Sequence, residues 1–265
     1  MTTTTMLRVR DVALTFNPGR VNEAPALRKI SLDVERGQFV VIVGSNGAGK
    51  STLLNVIAGE HVPDGGTIEL GGRDVTRVAD YRRARWIGRV FQDPLAGTAG
   101  ALTIHENLML AERRATHRRL RIPHNKAQHR ELLAVLGMGL EDRLTSRVDT
   151  LSGGQRQALT VLMATQTEPD LLMLDEHTAA LDPAAAERVL DVTRQLARRG
   201  NVTTLMITHN MTHAIEVGDR TVMMHRGRVL FDLDKDERAG LTLEDLIGRF
   251  RDLAADDLSD RTALS

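Results

Sequence analysis

The chain has 265 residues, of which 42% are hydrophobic and 26% are charged, a composition that suits one large domain or a core with an attached subdomain and excludes a disordered or fibrous chain. Lysine plus arginine and aspartate plus glutamate each number 35, so the charge balance gives no reason to expect nucleic acid as a partner. The absence of cysteine excludes disulfides and thiolate metal sites, and it fits a reducing compartment.

The apolar runs of the sequence are too short to cross a membrane. The stretch from Met1 to Arg10 is a threonine run followed by a strand-like segment, without the apolar core of a signal peptide, so we expect no export. Phe39–Val43 and Leu171–Leu174 fall far short of the roughly 20 apolar residues that a spanning helix needs. If a membrane is involved, we expect other chains to span it.

The N-terminal part of the chain predicts a group of antiparallel strands. Residues that favour strands cluster in Leu7–Thr15, Ala26–Val34 and Thr67–Leu70, with glycine- and proline-containing turns between them. Phe39–Val43 differs because it is a continuous, mostly β-branched run that leads into a glycine-rich segment and an apolar helix. This pattern is typical of a buried parallel strand.

Two later segments repeat this strand-to-helix pattern. Leu171–Leu174 precedes a predicted helix over Pro183–Arg199, and Thr203–Ile207 precedes one over Met211–Val217. The repetition favours a doubly wound α/β core with a parallel sheet.

Residues 93–167 predict a helical insert. Strand signals are absent there, Thr103 and Glu106 are spaced as a capping box, and Lys126–Leu136 predicts a helix that ends at Gly137.

The C-terminal part returns to strands, with Thr221–His225 and Arg228–Asp232 on either side of an Arg-Gly turn. We therefore predict a single domain over residues 7–250, with an antiparallel β subdomain and a helical subdomain at about 93–167. A C-terminal tail follows over 251–265.

The segment after Phe39–Val43 matches the phosphate-binding P-loop pattern in full, between a buried strand and the start of a helix. Its glycines let backbone N–H groups wrap a polyphosphate, the helix N-terminus adds its positive dipole end, and Lys50 adds a full charge. Ser51 is a predicted Mg²⁺ ligand. The predicted nucleotide-binding residues here are Gly44, Ser45, Asn46, Gly47, Ala48, Gly49, Lys50, Ser51 and Thr52.

Two other interpretations of this loop compete with the P-loop. The first is a tight turn with an incidental lysine, against which the flanking strand and helix argue. The second is a dinucleotide-binding loop. Its pattern fails because Thr52 stands where the last glycine belongs, and because no acid follows an obvious second strand.

Asp175 and Glu176 stand at the predicted C-terminal tip of a buried strand, the edge where ligands collect in parallel sheets. We expect Asp175 to bind Mg²⁺ through its water shell and Glu176 to polarise the water that attacks a γ-phosphate. The alternative is an acidic turn that caps the next helix. The presence of a full P-loop favours the functional interpretation.

A second anion site is predicted at Leu151-Ser152-Gly153-Gly154-Gln155. Ser152 and Gln155 are spaced as a capping box, so Ser152 would open a helix whose free N–H groups and two glycines allow a phosphate to approach closely. Because the P-loop lies far upstream, we expect two molecules in head-to-tail arrangement to close both sites on one nucleotide.

With these three motifs the chain resembles the ATP-binding-cassette (ABC) ATPase family from Leu7 to about Phe250. The resemblance implies a P-loop NTPase core of the RecA type and ATP held between one subunit's P-loop and the other subunit's signature. It also implies four further roles: Gln92 contacting Mg²⁺ and the water, Asp182 in the D-loop, His209 contacting the γ-phosphate, and Phe16 stacking on adenine. The implied catalytic set is Lys50, Gln92, Glu176 and His209, and the implied Mg²⁺ ligands are Ser51, Gln92 and Asp175.

Two positions depart from the family pattern. His177 follows Glu176 where most members have proline, and Asn210 follows His209 where an acid is usual. Neither change removes a reacting group, so we expect ATPase activity to survive. The departures are similar to a smaller subgroup of bacterial importers, some assigned to aromatic amino acids.

Structural interpretations remain open for several of these residues. His209 and His213 have the spacing of a zinc helix, although Asn210 replaces the glutamate that a metalloprotease needs. His209 alone is also typical of a turn, Gln92 of a polar loop, Asp182 of a helix N-cap and Phe16 of a core aromatic. A basic run is either solvated surface or a contact with lipid headgroups or a membrane partner, and comprises Arg113, Arg114, Arg118, Arg119 and Arg121.

The resemblance implies an ATP hydrolase that powers an ABC transporter and acts as a homodimer across two ATP molecules with Mg²⁺. We expect no nucleic acid as a partner. We expect an importer of a small solute such as an amino acid, with transmembrane permease subunits and a periplasmic or lipid-anchored solute-binding protein. We expect the chain itself to be cytoplasmic, peripheral on the inner face of the cell membrane. The alternatives are a soluble cassette ATPase acting on nucleic acid or ribosomes, and a nonenzymatic binding module.

Overall fold

The computed structural model describes residues 4–115, 125–238, 240, 242 and 244–249. The chain divides into two compact units: unit 1 comprises Met1–Val78 and Leu205–Ser265, and unit 2 comprises Ala79–Thr204. The predicted tail over 251–265 lies outside the described residues. So do Arg118, Arg119, Arg121 and the side chain of Arg114 from the predicted basic run, whereas Arg113 is exposed.

The described elements are as follows in chain order. The strands are β1 (Thr5–Phe16), β2 (Ala24–Glu35), β3 (Phe39–Val43), β4 (Gly65–Leu70), β5 (Arg73–Asp74), β6 (Ile87–Val90), β7 (Leu171–Asp175), β8 (Thr203–Ile207), β9 (Arg220–His225) and β10 (Arg228–Leu233). The helices are α1 (Lys50–Ala58), α2 (Asp80–Arg83), α3 (Ile104–Ala115), α4 (Lys126–Ala134), α5 (Gly153–Gln166), α6 (Pro183–Arg199), α7 (Met211–Glu216) and α8 (Lys235–Arg238). None of the described helices is both long enough and apolar enough to cross a bilayer.

Unit 1 contains the predicted antiparallel sheet, with strand order β2-β1-β4-β5. Leu7 of β1 lies opposite Val34 of β2 and Leu70 of β4, and all three side chains are buried. Alternate residues of each strand thus face the core, which is the pattern expected of a sheet with one buried face. The prediction of an antiparallel strand group is confirmed.

Unit 1 also contains the strand that leads into the predicted P-loop. All five residues of β3 are buried, because each is apolar and the strand has neighbours on both sides in the order β10-β9-β3-β8. β3 pairs in parallel with β9, with Val41 opposite Thr221, and β9 and β10 form the predicted hairpin. The backbone N–H of Thr208 donates to the carbonyl of Ile42 at 3.1 Å, so the segment after β8 lies beside the carboxyl end of β3.

Unit 2 is mainly helical, as predicted for residues 93–167. Its core consists of apolar side chains from α3, α4, α5 and α6, including Leu108, Leu133, Leu159 and Val189. Thr103 and Glu106 form the predicted capping box, with the Thr103 N–H donating to the Glu106 carboxylate at 2.7 Å.

Three local expectations differ from the structure. The helix predicted over Lys126–Leu136 ends at Ala134, and α7 ends at Glu216. The parallel strand β6, which pairs with β7, was not predicted from the sequence. Its residues Gly88 and Arg89 interrupt the β-branched run that marks the other parallel strands.

Candidate functional site

The predicted P-loop occupies the turn between β3 and α1 in unit 1. Helix α1 begins at Lys50, and the preceding residue Gly49 has φ 95° in the left-handed region. Ser45, Asn46 and Gly47 are exposed, as is Ser51, whereas Gly44 and Ala48 are buried and Thr52 is half-buried. The loop therefore presents backbone to solvent immediately before the positive end of a helix, as a phosphate-binding loop requires.

Two glycines of this loop are held by close contacts that admit no side chain. A Cβ at Gly44 would lie 2.1 Å from the carbonyl oxygen of Met224, and a Cβ at Gly49 would lie 2.6 Å from that of Ala26. The loop is also fixed by the N–H of Gly227, which donates to the carbonyl of Ala48 at 2.9 Å. Glycine is thus required here by packing as well as by backbone conformation.

Lys50 carries the charge of the loop. Its ammonium group donates to the carbonyl oxygens of Gly44 at 2.8 Å and Ser45 at 3.1 Å, and the residue is only 5% exposed. These bonds hold the ammonium group against the loop backbone at the helix start. A cation in this position is suited to binding a polyphosphate.

His209 lies in unit 1, two residues after the end of β8, and is exposed. The next residue, Asn210, caps α7: its side chain accepts from the N–H of Thr212 at 2.9 Å and of His213 at 3.4 Å, and its own N–H donates to the Thr208 hydroxyl at 3.0 Å. The departure at Asn210 therefore keeps the capping function that an acid would have.

The zinc interpretation of the histidine pair gains no support. The amide of Asn210 contacts the Nε2 atom of His213 at 3.3 Å, so this ring is engaged by the cap. Within the described ranges, no group of three or more His, Cys, Asp or Glu side chains is arranged to hold a metal ion.

Phe16 is the last residue of β1 in unit 1. The side chain is not part of the core, since it is 36% exposed and contacts His61 edge-to-face with ring centroids 5.4 Å apart. An exposed aromatic ring that is held by a neighbour is suited to stacking on a planar ligand.

The acid pair lies in unit 2 at the carboxyl end of β7. Asp175 is the last residue of the strand, and both acids are half-buried. Glu176 has φ 45°, a left-handed conformation that costs a non-glycine residue roughly 1–2 kcal/mol. Helix α6 is capped instead by Asp182, whose side chain accepts from the N–H of Ala185 at 3.0 Å. Capping of the next helix therefore does not account for the acid pair.

His177, the second departure, is a buried residue that sequence reasoning did not place. It is 2% exposed, and its Nε2 atom lies 3.2 Å from the hydroxyl of Thr193 on α6. That hydroxyl donates to the carbonyl of Val189 at 2.7 Å, so the Nε2–H of His177 donates to Thr193. The side chain thus anchors the segment after Glu176 to α6, whereas a proline has no such donor.

The predicted capping box at the signature is present in unit 2. The Ser152 hydroxyl accepts from the N–H of Gln155, and the Gln155 side chain accepts from the N–H of Ser152, both at 3.2 Å. Ser152 and Gly153 are exposed and Gly154 is buried. The start of α5 therefore offers N–H groups to an anion from outside the unit.

Gln92 follows β6 in unit 2 and is exposed. The sequence did not indicate that Gln157 of α5, which is fully buried, donates to the carbonyl of Phe91 at 3.2 Å. This bond ties the signature helix to the residue before Gln92. Spacing along the chain gives no signal for it, because 66 residues separate the two partners.

The predicted site residues thus fall into two groups. Unit 1 holds Phe16, the P-loop and His209, while unit 2 holds Gln92, the signature, Asp175, Glu176 and Asp182. Ser51, Gln92 and Asp175 each carry an oxygen donor of the kind that Mg²⁺ prefers.

Comparison with known proteins finds transporter ATP-binding proteins both by family model and by sequence similarity. A family model described as ABC transporter matches residues 27–179. The chain is 40% identical over 248 residues to a tyrosine transport ATP-binding protein of Clostridioides difficile strain R20291, covering 92% of this chain and 98% of the relative. It is 33% identical over 266 residues to the phosphonates import ATP-binding protein PhnC 1 of a Ruegeria species, covering 98% and 100%.

Solved structures share the same fold. An ATP-binding cassette of an ABC transporter in its ADP conformation is 25% identical, with a TM-score of 0.76, and the match covers 94% of this chain and 99% of that one. A dimeric cassette in a post-hydrolysis state, bound to ADP and phosphate, is 26% identical with a TM-score of 0.73, and the match covers 87% and 99%.

Proposed function

The chain belongs to the ABC transporter family of ATP-hydrolysing transporter subunits, and from this premise we propose that it powers an importer of a small solute such as an amino acid. The observation that carries the proposal is the P-loop, in which packing demands Gly44 and Gly49 and in which Lys50 places its charge at a helix start. The relative named for phosphonates import supports the direction of transport, and the relative named for tyrosine transport supports an amino acid as the solute.

In the proposed reaction the P-loop binds the phosphates of ATP. Backbone N–H groups from Ser45 to Ser51 and the ammonium group of Lys50 contact the β- and γ-phosphates. Phe16 stacks on adenine, and its exposed, edge-supported ring supports this role. Ser51, Gln92 and Asp175 would hold Mg²⁺ in their predicted roles, and the ion would neutralise charge on the phosphates.

Hydrolysis itself is assigned to Glu176 and His209. The carboxylate of Glu176 accepts a proton from water as that water attacks the γ-phosphate, and the bond from the γ-phosphorus to the leaving ADP breaks. His209 donates to the γ-phosphate and so stabilises the charge that develops there.

Two copies of the chain are proposed to act as a homodimer. The exposed start of α5, with Ser152 as its cap, contacts the γ-phosphate that the other copy's P-loop holds, and Asp182 lies in the adjoining D-loop of the family. ATP therefore joins the two copies, and its hydrolysis lets them separate. The dimeric cassette among the similar solved structures supports this arrangement.

The proposed partners are transmembrane permease subunits, with a periplasmic or lipid-anchored solute-binding protein, on the inner face of the cell membrane. We expect affinity-tagged chain to co-purify with a polytopic membrane protein from detergent-solubilised native membranes. Proteoliposomes of the captured complex should take up tyrosine or a related amino acid only when ATP is on the side of this chain.

The Glu176→Gln variant provides the matched control, since it should retain the membrane partner but support no uptake. Repeated recovery of the whole pool without a membrane protein, together with ribosomes or nucleic acid, would contradict the transport assignment.

A further inference from the structure

Arg238 is a buried arginine in α8 whose role no motif indicates. It is 7% exposed, although it lies on a helix of four residues. Asp234 and Glu237 form a capping box at this helix, with the Asp234 N–H donating to Glu237 at 2.9 Å and the Glu237 N–H donating to Asp234 at 2.9 Å. The cap fixes the short helix and thereby the origin of the Arg238 side chain.

The guanidinium group of Arg238 contacts the C-terminal end of α7. Its Nη1 atom donates to the carbonyl oxygens of Ala214 at 2.7 Å and Ile215 at 3.1 Å, and its Nη2 atom donates to the carbonyl of Gly218. The last carbonyls of a helix have no partner within the helix and carry the negative end of its dipole. Arg238 therefore supplies both the donors and the charge that this helix end needs.

The same guanidinium group reaches the central sheet. Nη1 also donates to the hydroxyl of Thr221 at 3.1 Å, and that hydroxyl donates to the carbonyl of Ala214 at 2.6 Å. Thr221 lies on β9 directly opposite Val41 of β3, the strand that leads into the P-loop. Arg238 thus joins α7 to the strand pair that carries the P-loop, and all these groups belong to unit 1.

Helix α7 begins two residues after His209, behind the cap residue Asn210, and has only six residues. Its start is held by the Asn210 cap and its end by Arg238. Because a helix this short does not persist without such contacts, the position of its first residue depends on both ends. His209 stands two residues before that first residue, so the position of its backbone depends on the same contacts.

We propose that Arg238 is a positioning residue for ATP hydrolysis, which holds His209 in place by fixing the C-terminal end of α7 against β9. The inference rests on the role proposed above for His209. Burial lowers the pKa of the Arg238 guanidinium from its ordinary value, and the nearby carboxylates of Asp219 and Asp234 partly offset this effect.

Arg238→Met removes the donors while keeping an unbranched side chain of similar length. We expect kcat for ATP hydrolysis by the full chain to fall by about tenfold, because small misplacement of a catalytic group is costly in rate. The dissociation constant of ATP should stay within about twofold, since the P-loop contacts are untouched. Arg238→Lys, which keeps the charge but offers fewer aligned donors, should give an intermediate kcat and carries the test if the methionine variant fails to fold.

Arg220→Met is the matched control for a general loss of stability. Arg220 is also a partly buried arginine of unit 1, and its side chain bonds to the carboxylate of Asp232 and to the carbonyl of Asp33, neither of which belongs to α7. The Arg220→Met substitution should lower the melting temperature while kcat stays near the wild-type value. Equal losses of kcat in the Arg220 and Arg238 variants at equal loss of stability would overturn the proposal.

A double variant separates this inference from the role of His209. If Arg238 acts through His209, the His209→Ala/Arg238→Met chain should be no slower than His209→Ala alone. Multiplied losses in the double variant, or a wild-type kcat in Arg238→Met beside a slow His209→Ala, would overturn the inference but leave the function intact. A wild-type kcat in His209→Ala would instead refute the role of His209 on which the inference rests.

Discussion

Replacing Glu176 with glutamine is expected to lower kcat for ATP hydrolysis by about a thousandfold, the middle of the range for loss of a general base. Glutamine has the same shape but cannot accept a proton from the attacking water. ATP affinity should change little, because the carboxylate contacts the water and not the bound phosphates. ATP should therefore persist in the site, and gel filtration with ATP should show an accumulated dimer.

Glu168→Gln offers an unusually close control for this prediction. Glu168 is an exposed glutamate of the same unit, and its φ of 47° matches the 45° of Glu176. Both substitutions thus remove one carboxylate from a left-handed backbone position. We expect Glu168→Gln to retain wild-type kcat. A Glu176→Gln chain that stays monomeric in ATP and hydrolyses at the normal rate would refute the assigned role.

Replacing Lys50 with alanine is expected to act on binding instead of on the chemical step. Hydrogen bonds from a charged donor contribute up to about 3 kcal/mol, so ATP affinity should fall by about a hundredfold. Titration with a fluorescent ATP analogue or calorimetry measures this loss directly. Water can replace the lost donor at the carbonyl of exposed Ser45, but the carbonyl of Gly44 is buried, so a thermal melt should establish that the variant is folded before its ATP affinity is compared.

Lys126→Ala is the control for removing a positive charge. Lys126 is an exposed lysine at the start of α4 in unit 2, and we expect no change in ATP affinity on its replacement. An Lys50→Ala chain that binds ATP with wild-type affinity would show that the loop does not use this ammonium group.

The sequence predicted those helices and strands whose ends are set by neighbouring residues, such as capping residues, prolines and glycines. The bounds of α6 agree with the prediction because Asp182 caps the helix, Pro183 suits its first turn and Gly200 follows its last residue. The bounds of β3 agree because a continuous β-branched run gives way to a glycine-rich loop. The capping box at Ser152 is likewise a matter of spacing and was predictable.

Contacts between distant segments were not predictable in the same way. The burial of His177 depends on the hydroxyl of Thr193, and the bonds of Arg238 depend on how α8 packs against α7. A single sequence contains no periodicity or spacing that specifies such partners. The roles of Gln92, Asp182 and His209 accordingly came from the family resemblance and stay predictions.

The central claim is that each ATP is held by the P-loop of one copy and the signature of another. Ser152→Asp tests the signature without destroying its helix, because aspartate caps helices well but repels a phosphate. Lys50→Ala disables the P-loop by removing its positive charge. At an ATP concentration too low to fill the weakened P-loop, each variant alone should hydrolyse ATP very slowly, since both pockets of its homodimer contain the damaged group.

The decisive measurement is the ATPase rate of an equal mixture of these two inactive variants. A mixed dimer has one pocket with both lesions and one pocket with none, so random pairing should restore about a quarter of the wild-type rate. A rate no higher than the sum of the two separate variants would contradict the account, because it would mean that a single copy supplies both halves of its own pocket.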